Sequence, residues 1–566
     1  MNTVLKKVPA VTQPLPEAGQ KTLMELLQSR ESQEIVIAFA GPIGSGIQSV
    51  ITKTKTNLIA LGYKRVKIIK LSKFLQDALD NKQVSALAIP GEKSEKFIRY
   101  RNLQQAGCQL RERTKNMRLL AEYAVKEIVV DRKANSVAIA VATGGPVPAD
   151  VEPPRTAYLI DQVKRPEEVE LLRAMYRHLF YVVGVTKSYV QRRKTLEDDG
   201  LDEREITDLM EIDRNESTEK GGQRLDKTLH LADFFIRNDA GLDQRDSVRR
   251  FTRLIHGDKS LTPNRVETGM YAAYAAGLRS ACLSRQVGAA IANSYGEILA
   301  TGCNDVPSAG GGLYSSNSTV DYRCVHRPGS TCFNDREKRD LQNSIGSLFR
   351  EKFATLKLKE EISESWLSAL LQSIYEKTRL GSLIEFSRSV HAEMDAIVSL
   401  ARRGSSGLDK ATLYTTTFPC HSCARHIVAA GITEVFYIEP YEKSMAQQLH
   451  KDAIAFEEPH AKVKDAAPIA EQKDPTATKD EDDDFTHERV KFLHFEGVSP
   501  RLFAAVFRAD DRKDKSTGKF IPMSEENPAK VLPEYLVDYR EFEKAAVRHF
   551  DGMMKDLRTD PNLTEN

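Results

Sequence analysis

Short apolar runs alternate with amphipathic stretches along the first half of the chain. EIVIAFA, residues 34–40, is apolar almost throughout, as expected of a strand buried on both faces. A helical pattern follows up to Leu61, with Gly62 at its cap, and VKIIKLS is a second apolar run. SVAIAVATGG and AYLIDQV are two further strand candidates, and PEEVELL begins a helix at Pro166. The alternation predicts an α/β unit over residues 31–245, with a parallel sheet and helices on both of its faces.

A glycine-rich segment, GPIGSG, connects the first predicted strand to the first predicted helix. Its outer glycines have the spacing of a phosphate-binding loop, but Ile47 and Gln48 stand where such a loop carries its lysine and its Mg²⁺-binding hydroxyl. Two hypotheses are open: a P-loop-type fold that binds a nucleotide without phosphoryl transfer, or a glycine-rich turn that holds no ligand. The candidate nucleotide-binding residues are Gly41, Gly44, Ser45 and Gly46.

The second half opens with an alanine-rich helical stretch, GMYAAYAAGLRSACLS, and a predicted hairpin that turns at Tyr295 and Gly296. Residues 305–390 form an insertion too long for a simple loop, and LQNSIGSLFREKF and SESWLSALLQSIYEKTRL predict two amphipathic helices within it. We predict a second α/β unit over residues 246–510, which contains this insertion and an acidic linker at 464–489. The terminal segments are predicted to be a flexible arm, residues 1–30, and a polar tail, residues 511–566.

The candidate chemistry of the second half lies in HAEMDAI and FPCHSCARH. Both segments open predicted helices, where backbone N–H groups and the helix dipole favour thiolates. His391, Cys420 and Cys423 offer three N/S ligands with an open fourth position, which is how a catalytic zinc site is built. The H-x-E and P-C-x-x-C spacing resembles the signature of zinc nucleobase deaminases, in which a glutamate that is not a ligand carries protons. Glu393 occupies that position.

Two other metal arrangements are open from the sequence. One is a structural zinc site with four ligands, in which His421 or His426 completes the set. The other is a second metal cluster in the insertion, formed by Cys324, His326 and Cys332. The alternative for this second group is a pair of reduced cysteines in a packed loop.

Composition narrows the range of partners and compartments. The 566 residues contain 82 Lys and Arg against 80 Asp and Glu, and a net charge of +2 gives no global electrostatic reason to bind nucleic acid. Seven cysteines, an odd number, fit a reducing cytoplasm better than a disulfide framework. The first thirty residues lack the apolar core of a signal peptide, and no apolar run is long enough to span a membrane. We therefore predict a cytoplasmic protein.

VGAAIANSYGEILATGCNDVP, HAEMDAI and LYTTTFPCHSCARHIVAAGITEVFYI occur in the order found in deoxycytidylate deaminases, and residues 260–510 resemble that family. The whole chain resembles the bacterial antiviral (AvcD-type) deoxycytidylate deaminases, in which a P-loop kinase-like half is fused to a cytidine-deaminase-like α/β/α half. The resemblance implies Zn²⁺ as cofactor and hydrolytic conversion of dCTP and dCMP to dUTP and dUMP. It also implies depletion of the deoxycytidine pool during phage infection, silencing by a small RNA in uninfected cells, and homo-oligomers.

The predicted substrate is a free deoxycytidine nucleotide, with a nucleotide effector expected at the first half. A polynucleotide-editing deaminase is the alternative, but it would need a basic groove studded with aromatic residues, which the near-neutral charge does not favour. A third hypothesis is a binding protein whose deaminase unit is a sensor or toxin held by a partner. The candidate substrate-binding residues are Arg285, Asn304, Tyr441 and Lys443; for Tyr441 a simple rim position is the alternative.

Overall fold

Two six-stranded sheets organise the chain in the computed structural model. The structure describes residues 31–89, 91–143, 154–214, 222–239, 244–355, 363–404, 408, 410–439, 441, 444–457, 489–508, 512–526, 528–534 and 536–559. The predicted arm, residues 1–30, lies outside the described residues, and so does the predicted acidic linker apart from Arg489.

The first sheet contains five parallel strands in the order β2-β3-β1-β4-β5, so that the first strand lies at the centre. Alternate side chains of the central strand enter different cores: Val36 and Ala38 pack on one face, while Ile35 and Ile37 pack on the other. This two-sided burial explains the apolar run that predicted the strand. The strands are β1 (Glu34–Ala40), β2 (Arg65–Lys70), β3 (Thr156–Asp161), β4 (Phe180–Thr186) and β5 (Phe234–Arg237).

Helices cover both faces of the first sheet, as predicted. They are α1 (Ile47–Ala60), α2 (Leu71–Asp80), α3 (Glu95–Thr114), α4 (Leu119–Thr143), α5 (Pro166–Tyr176), α6 (Tyr189–Asp198), α7 (Glu203–Arg214), α8 (Leu225–Leu229) and α9 (Gln244–Ile255). The prediction of a strand at SVAIAVATGG is wrong, because residues 136–143 are the last turns of α4. The described buried residues of this helix, such as Ala124, Val125 and Ile128, repeat with helical rather than strand spacing.

The second sheet has the order β10-β11-β9-β8-β6-β7. The four strands from β8 to β11 are parallel to one another, whereas β6 is antiparallel to both of its partners, β7 and β8. The predicted hairpin turn is confirmed at Tyr295 and Gly296, where Gly296 has a φ of 87°. The strands are β6 (Gly288–Ala292), β7 (Ile298–Cys303), β8 (Thr412–Thr417), β9 (Glu434–Glu439), β10 (Ile454–Phe456) and β11 (Val490–His494).

Helices also flank both faces of the second sheet. They are α10 (Arg265–Gly277), α11 (Phe333–Thr355), α12 (Glu364–Lys377), α13 (Ala392–Arg402), α14 (His421–Ala429) and α15 (Ala446–Leu449). α10 packs on one face, so closely that a Cβ at Gly288 would lie 1.9 Å from the carbonyl oxygen of Ala273. α13 and α14 share the core on the opposite face. α11 and α12 are the two helices predicted in the insertion.

The last part of the chain returns to the first sheet. β12 (Gly497–Val498) pairs antiparallel with β5, α16 (Pro500–Phe507) follows it, and α17 (Leu536–Thr559) packs on α4 and α5. α9 also packs on α1 and β5. The range predicted for the second unit, residues 246–510, therefore includes segments that pack on the first, because Val498, Leu502 and Val506 belong to the same core as Ile35. No helix in the described part of the chain is long and apolar enough to cross a membrane.

Candidate metal centre

Two helix N-termini place the three predicted metal ligands side by side. His391 is the residue that precedes α13, and Cys420 is the residue that precedes α14. Cys423 lies in the first turn of α14, and its backbone N–H donates to Cys420 Sγ at 3.4 Å. Residues of both helices pack into the core on one face of the second sheet, which holds the two N-termini in register.

The ligand atoms have the spacing that a zinc ion requires. Cys420 Sγ and Cys423 Sγ lie 3.2 and 3.4 Å from His391 Nδ1. In a tetrahedral site, Zn–S bonds of about 2.3 Å and Zn–N bonds of about 2.0 Å separate a sulfur from a nitrogen ligand by about 3.5 Å. Within the described residues, this is the only group of three His, Cys, Asp or Glu side chains whose ligand atoms converge in this way. The donor set therefore fits Zn²⁺.

Electrostatics at the centre favour a thiolate at Cys420. Hydrogen bonds from Cys423 and His391 lower the pKa of Cys420 to about 4, against the opposing effect of burial. The hydrogen bond to Cys420 is in turn the main reason that the pKa of His391 is raised, to about 9. The thiolate is the form in which cysteine binds a metal ion.

Glu393 lies beside the ligands without joining them. Its side chain is in the first turn of α13, it is 4% exposed, and Oε2 lies 3.5 Å from Cys423 Sγ. Burial raises the pKa of Glu393, the charge of Cys420 raises it further, and His391 lowers it. A buried carboxyl group with a raised pKa beside three converging ligand atoms is suited to general acid–base catalysis.

The four-ligand alternative is not supported by the positions of the two other histidines. His421 turns its Nε2 towards Glu385 Oε1, 3.8 Å away, and His426 Nδ1 lies 2.6 Å from the carbonyl oxygen of Ser422. Neither histidine belongs to the converging group. Three ligand atoms therefore converge among the described residues, which is the number of protein ligands typical of a catalytic zinc site.

The structure does not bring together the second metal cluster predicted in the insertion. No converging group in the described ranges includes Cys324, His326 or Cys332. Asp321 instead pairs with His326, at 3.3 Å, and with Arg323, at 2.6 Å. Burial raises the pKa of the Cys332 thiol. The arrangement corresponds to the alternative of reduced cysteines in a packed loop.

Two of the predicted substrate-binding residues lie together at the edge of the centre. The Arg285 guanidinium lies 5.6 Å from the centre of the Tyr441 ring. The Tyr441 ring packs against the core cluster that includes Cys420 and Cys423, and burial raises the pKa of Tyr441 to about 12. Lys443 lies outside the described residues.

Asn304 follows β7, and its side-chain amide forms hydrogen bonds with two backbone groups. Its Oδ1 accepts the N–H of Val287 at 2.7 Å, and its Nδ2 donates to the carbonyl oxygen of Arg285 at 2.8 Å. The side chain is 7% exposed. Asn304 thus fixes the segment that carries Arg285, and it retains one donor and one acceptor for a ligand.

The sequence analysis missed two residues at the same edge. Glu439 ends β9, and its carboxylate lies 3.6 Å from Arg285 Nη1 and accepts a hydrogen bond from Thr417 Oγ1 at 3.1 Å. His230, which follows α8 in the first half, points its Nδ1 towards the same carboxylate at 3.6 Å. Glu439 stood in the run ITEVFYIEPY, but nothing local to His230 signals that it reaches this site.

The glycine-rich loop connects β1 to α1 as predicted. Residues from other elements of the first half pack against it. Gly44 and Gly46 have φ values of 79° and 73°, and a Cβ on Gly44 would lie 2.9 Å from the carbonyl oxygen of Arg192. The backbone N–H of Ile43 donates to Asp213 Oδ2 at 2.6 Å. Ser45 is buried, and its Oγ has no hydrogen-bond partner among the described residues.

The candidate metal centre lies in a part of the chain that matches a known protein family. Residues 263–439 match the family described as "Cytidine and deoxycytidylate deaminase zinc-binding region". All three ligands and Glu393 lie within this range. Residues 263–439 are thus similar to the zinc-binding region of cytidine and deoxycytidylate deaminases, and Zn²⁺ is the cofactor that this similarity and the converging ligands imply.

The similar proteins include two phage deoxycytidylate deaminases and one bacterial protein. The chain is similar to the deoxycytidylate deaminases of Enterobacteria phages T2 and T4, with 29% identity over 180 residues in each case; these cover 32% of this chain and 82% and 80% of the phage proteins. It is also similar to ComE operon protein 2 of Bacillus subtilis (strain 168), with 40% identity over 68 residues, which are 12% of this chain and 35% of that protein.

Proposed function

We propose that the protein is a zinc-dependent hydrolytic deaminase that converts free deoxycytidine nucleotides to deoxyuridine nucleotides. The observation that carries the proposal is the buried carboxyl group of Glu393 beside three converging ligands, within a region that matches the deaminase family. The names of the phage relatives, deoxycytidylate deaminases, support a nucleotide rather than a free base as substrate.

The roles of the chain's own residues follow from this geometry. Bound Zn²⁺ supplies a water molecule with a pKa near neutrality. The Glu393 carboxylate is placed to accept a proton from the attacking water and to deliver protons to the pyrimidine N3 and the leaving amino group. Because Glu393 is buried, its raised pKa suits both directions of transfer. His391, Cys420 and Cys423 would hold the ion.

The nucleotide is recognised by three residues near the metal centre, namely Arg285, Tyr441 and Asn304. A guanidinium group binds phosphate oxygens through charge-assisted hydrogen bonds. The Tyr441 ring, close to the metal ligands, offers an aromatic face to the base, and Asn304 offers its remaining donor and acceptor to the sugar. This arrangement suits a single nucleotide that carries its own phosphate.

The substrate class is tested by chromatography of the products from four substrates: dCMP, dCTP, CTP and a cytosine-containing oligonucleotide. We expect conversion of the free deoxynucleotides. Conversion of the oligonucleotide alone would contradict the proposal and identify a polynucleotide-editing enzyme. Inactivity on all four would contradict it as well, provided that the protein carries zinc and no co-purifying RNA.

The resemblance to antiviral deaminases extends the proposal to a biological role. In that role, deamination of dCTP and dCMP depletes the deoxycytidine pool during phage infection, a small RNA silences the enzyme in uninfected cells, and the protein acts in the cytoplasm as a homo-oligomer. Intracellular dCTP measured during phage infection is expected to fall in cells that carry the wild-type chain and to persist in cells that carry Glu393→Ala.

We further propose that the first half is a P-loop kinase-like module that senses a nucleotide. The strand order 2-3-1-4-5 with all strands parallel, and a glycine-rich loop between β1 and α1, support this proposal. The loop is closed by Asp213 of α7, whose carboxylate accepts a loop N–H and binds Lys164 at 2.5 Å. The carboxylate thus takes a position that an anionic phosphate oxygen would occupy in an open loop.

Removal of Asp213 is therefore expected to strengthen nucleotide binding at the loop. In Asp213→Ala, the Ile43 N–H and the Lys164 ammonium lose their resident anion, so we expect the Kd for ATP to fall by about tenfold. Isothermal titration calorimetry measures this change, and Asp208→Ala, an exposed aspartate on the same helix, is the matched control. Equal affinity in both variants would contradict a sensing role for this loop.

A further inference from the structure

A histidine from the first half lies at the edge of the metal centre in the second half. His230 follows α8, and its Nδ1 lies 3.6 Å from Glu439 Oε1. Its side chain is 24% exposed, and its Nε2 is buried without a hydrogen-bond partner among the described residues. The ring is thus held with one nitrogen towards a carboxylate and the other against the packed surface.

The burial of His230 and the positive charges near it favour a neutral ring, whose Nδ1 faces Glu439. Burial lowers the pKa of His230; Glu439 opposes this effect, while Arg285 and Lys227 lower the pKa further. A neutral imidazole has one N–H, and the carboxylate beside Nδ1 favours the tautomer that carries the proton there. This tautomer leaves Nε2 as an acceptor, which is the atom that lacks a partner.

Glu439 lies between His230 and Arg285, one of the residues proposed to bind the substrate. Its second carboxylate oxygen, Oε2, accepts from Thr417 Oγ1 and faces Arg285 Nη1 at 3.6 Å. Arg285 in turn lies against the Tyr441 ring. Its side chain is 46% exposed, so that without a fixed partner the long arginine would sample many rotamers. The carboxylate between His230 and Arg285 restricts that freedom.

We propose that His230 is a positioning residue of the deaminase site: through Glu439 it orients Arg285 towards the phosphate of the deoxycytidine nucleotide. The inference rests on the proposed function. It means that the first half of the chain completes a substrate site whose other residues lie between 263 and 441. Preorganisation of Arg285 lowers the entropy lost when the phosphate binds, so its effect falls on substrate affinity rather than on the chemical step.

The test compares steady-state kinetics on dCMP for the full-length wild type, His230→Ala and His230→Asn. For His230→Ala we expect KM to rise about fivefold with kcat within about twofold, since an indirect polar contact of this size is lost. Zinc content should not change. Asparagine places its amide N–H near the position of Nδ1, so His230→Asn should return KM to within about twofold of the wild type. His178→Ala, an exposed histidine of the same half, is the control.

Three outcomes would overturn the inference. The first is a KM for His230→Ala equal to that of His178→Ala. The second is a His230→Asn variant as impaired as His230→Ala, because the ring would then act by shape alone. The third is additivity with Glu439→Gln: if His230 acts through Glu439, then His230→Ala should have no further effect on KM in the Glu439→Gln background.

Binding measurements separate this inference from the proposed function. The Kd for dCMP is measured by calorimetry in the Glu393→Ala background, with and without His230→Ala and His230→Asn. If the wild type binds dCMP but does not deaminate it, the proposed function fails, and the three Kd values still decide the role of His230. If dCMP does not bind at all, the inference is overturned with it.

Discussion

Replacement of Glu393 by alanine is expected to lower kcat for deamination by a factor of about 10²–10⁴, the usual contribution of a positioned general acid–base group. Glu393 is the buried carboxyl group next to the metal ligands, and its carboxylate would carry protons from water to the pyrimidine. Product formation measured by chromatography at saturating dCMP reports this change. Zinc content should remain at the wild-type level, because Glu393 is not one of the three converging ligands.

Three variants distinguish proton transfer from other causes of inactivity. Glu393→Gln keeps the shape of the side chain but cannot accept a proton, so it should be about as inactive as Glu393→Ala. Cys420→Ser should lose zinc together with activity, because it removes a thiolate ligand. Glu351→Ala, on an exposed face of α11, should behave as the wild type. A Glu393→Ala protein that deaminates dCMP at the wild-type rate would refute the proton-transfer role.

The sequence predicts the metal centre well because its functional residues lie close together in two short stretches of the chain. His391 and Glu393 are two residues apart, Cys420 and Cys423 are three apart, and each pair begins a helix whose apolar stripe is visible in the sequence. Only the meeting of the two helix N-termini is long-range, and the motif as a whole supplies that information. The central strand and the glycine-rich loop are local in the same sense.

The strand predicted at SVAIAVATGG shows where local pattern is insufficient. A short apolar run fits a buried strand and a helix buried on most sides equally well. The preceding residues, LLAEYAVKEIVVDRKAN, continue without a break into it, and the whole of Leu119–Thr143 is one helix, α4, that packs under α17. The length of the uninterrupted stretch, rather than its composition, was the useful signal.

The contacts between the two halves could not be predicted from local sequence. His230 and Glu439 are more than 200 residues apart, and no residue near His230 in the sequence marks it as part of a site. The C-terminal residues looked like a polar tail, yet Tyr539 and Glu543 are buried against α4 and β1. A buried charge and an exposed one are identical in the sequence, and only the packing of distant elements distinguishes them.

Arg132→Met is expected to destabilise the first half by about 3–5 kcal/mol, because it would leave two buried carboxylates unpaired. Arg132 donates to Glu34 at 2.8 and 2.9 Å and to Glu543 at 2.5 and 3.0 Å. Its side chain is 10% exposed, and both carboxylates are 2% exposed. Glu34 belongs to the central strand β1, and Glu543 belongs to α17. The Arg132 guanidinium therefore links the C-terminal helix to the first sheet through hydrogen bonds.

The midpoint of urea unfolding measures the loss, and hydrogen exchange locates it. Exchange should accelerate first in α17, whose charged link to the sheet is broken, while the amides of β8 and β9 in the second sheet should change least. Arg99→Met, which replaces an exposed arginine of the same half, controls for the change of residue type. An Arg132→Met midpoint no lower than that of Arg99→Met would contradict a structural role for the network.

A triple variant separates the cost of unpaired charge from the loss of packing. In Arg132→Met, Glu34→Gln, Glu543→Gln, all three charges of this network are removed. The two glutamines can still accept hydrogen bonds from Tyr539 and Tyr176, whose hydroxyls donate to the carboxylates at 2.8 and 2.9 Å. We expect most of the lost stability to return, because buried ion networks often contribute little more than neutral groups of similar shape. If the triple variant were as unstable as Arg132→Met alone, the arginine would act through its packing between β1 and α17, and the charges would be incidental.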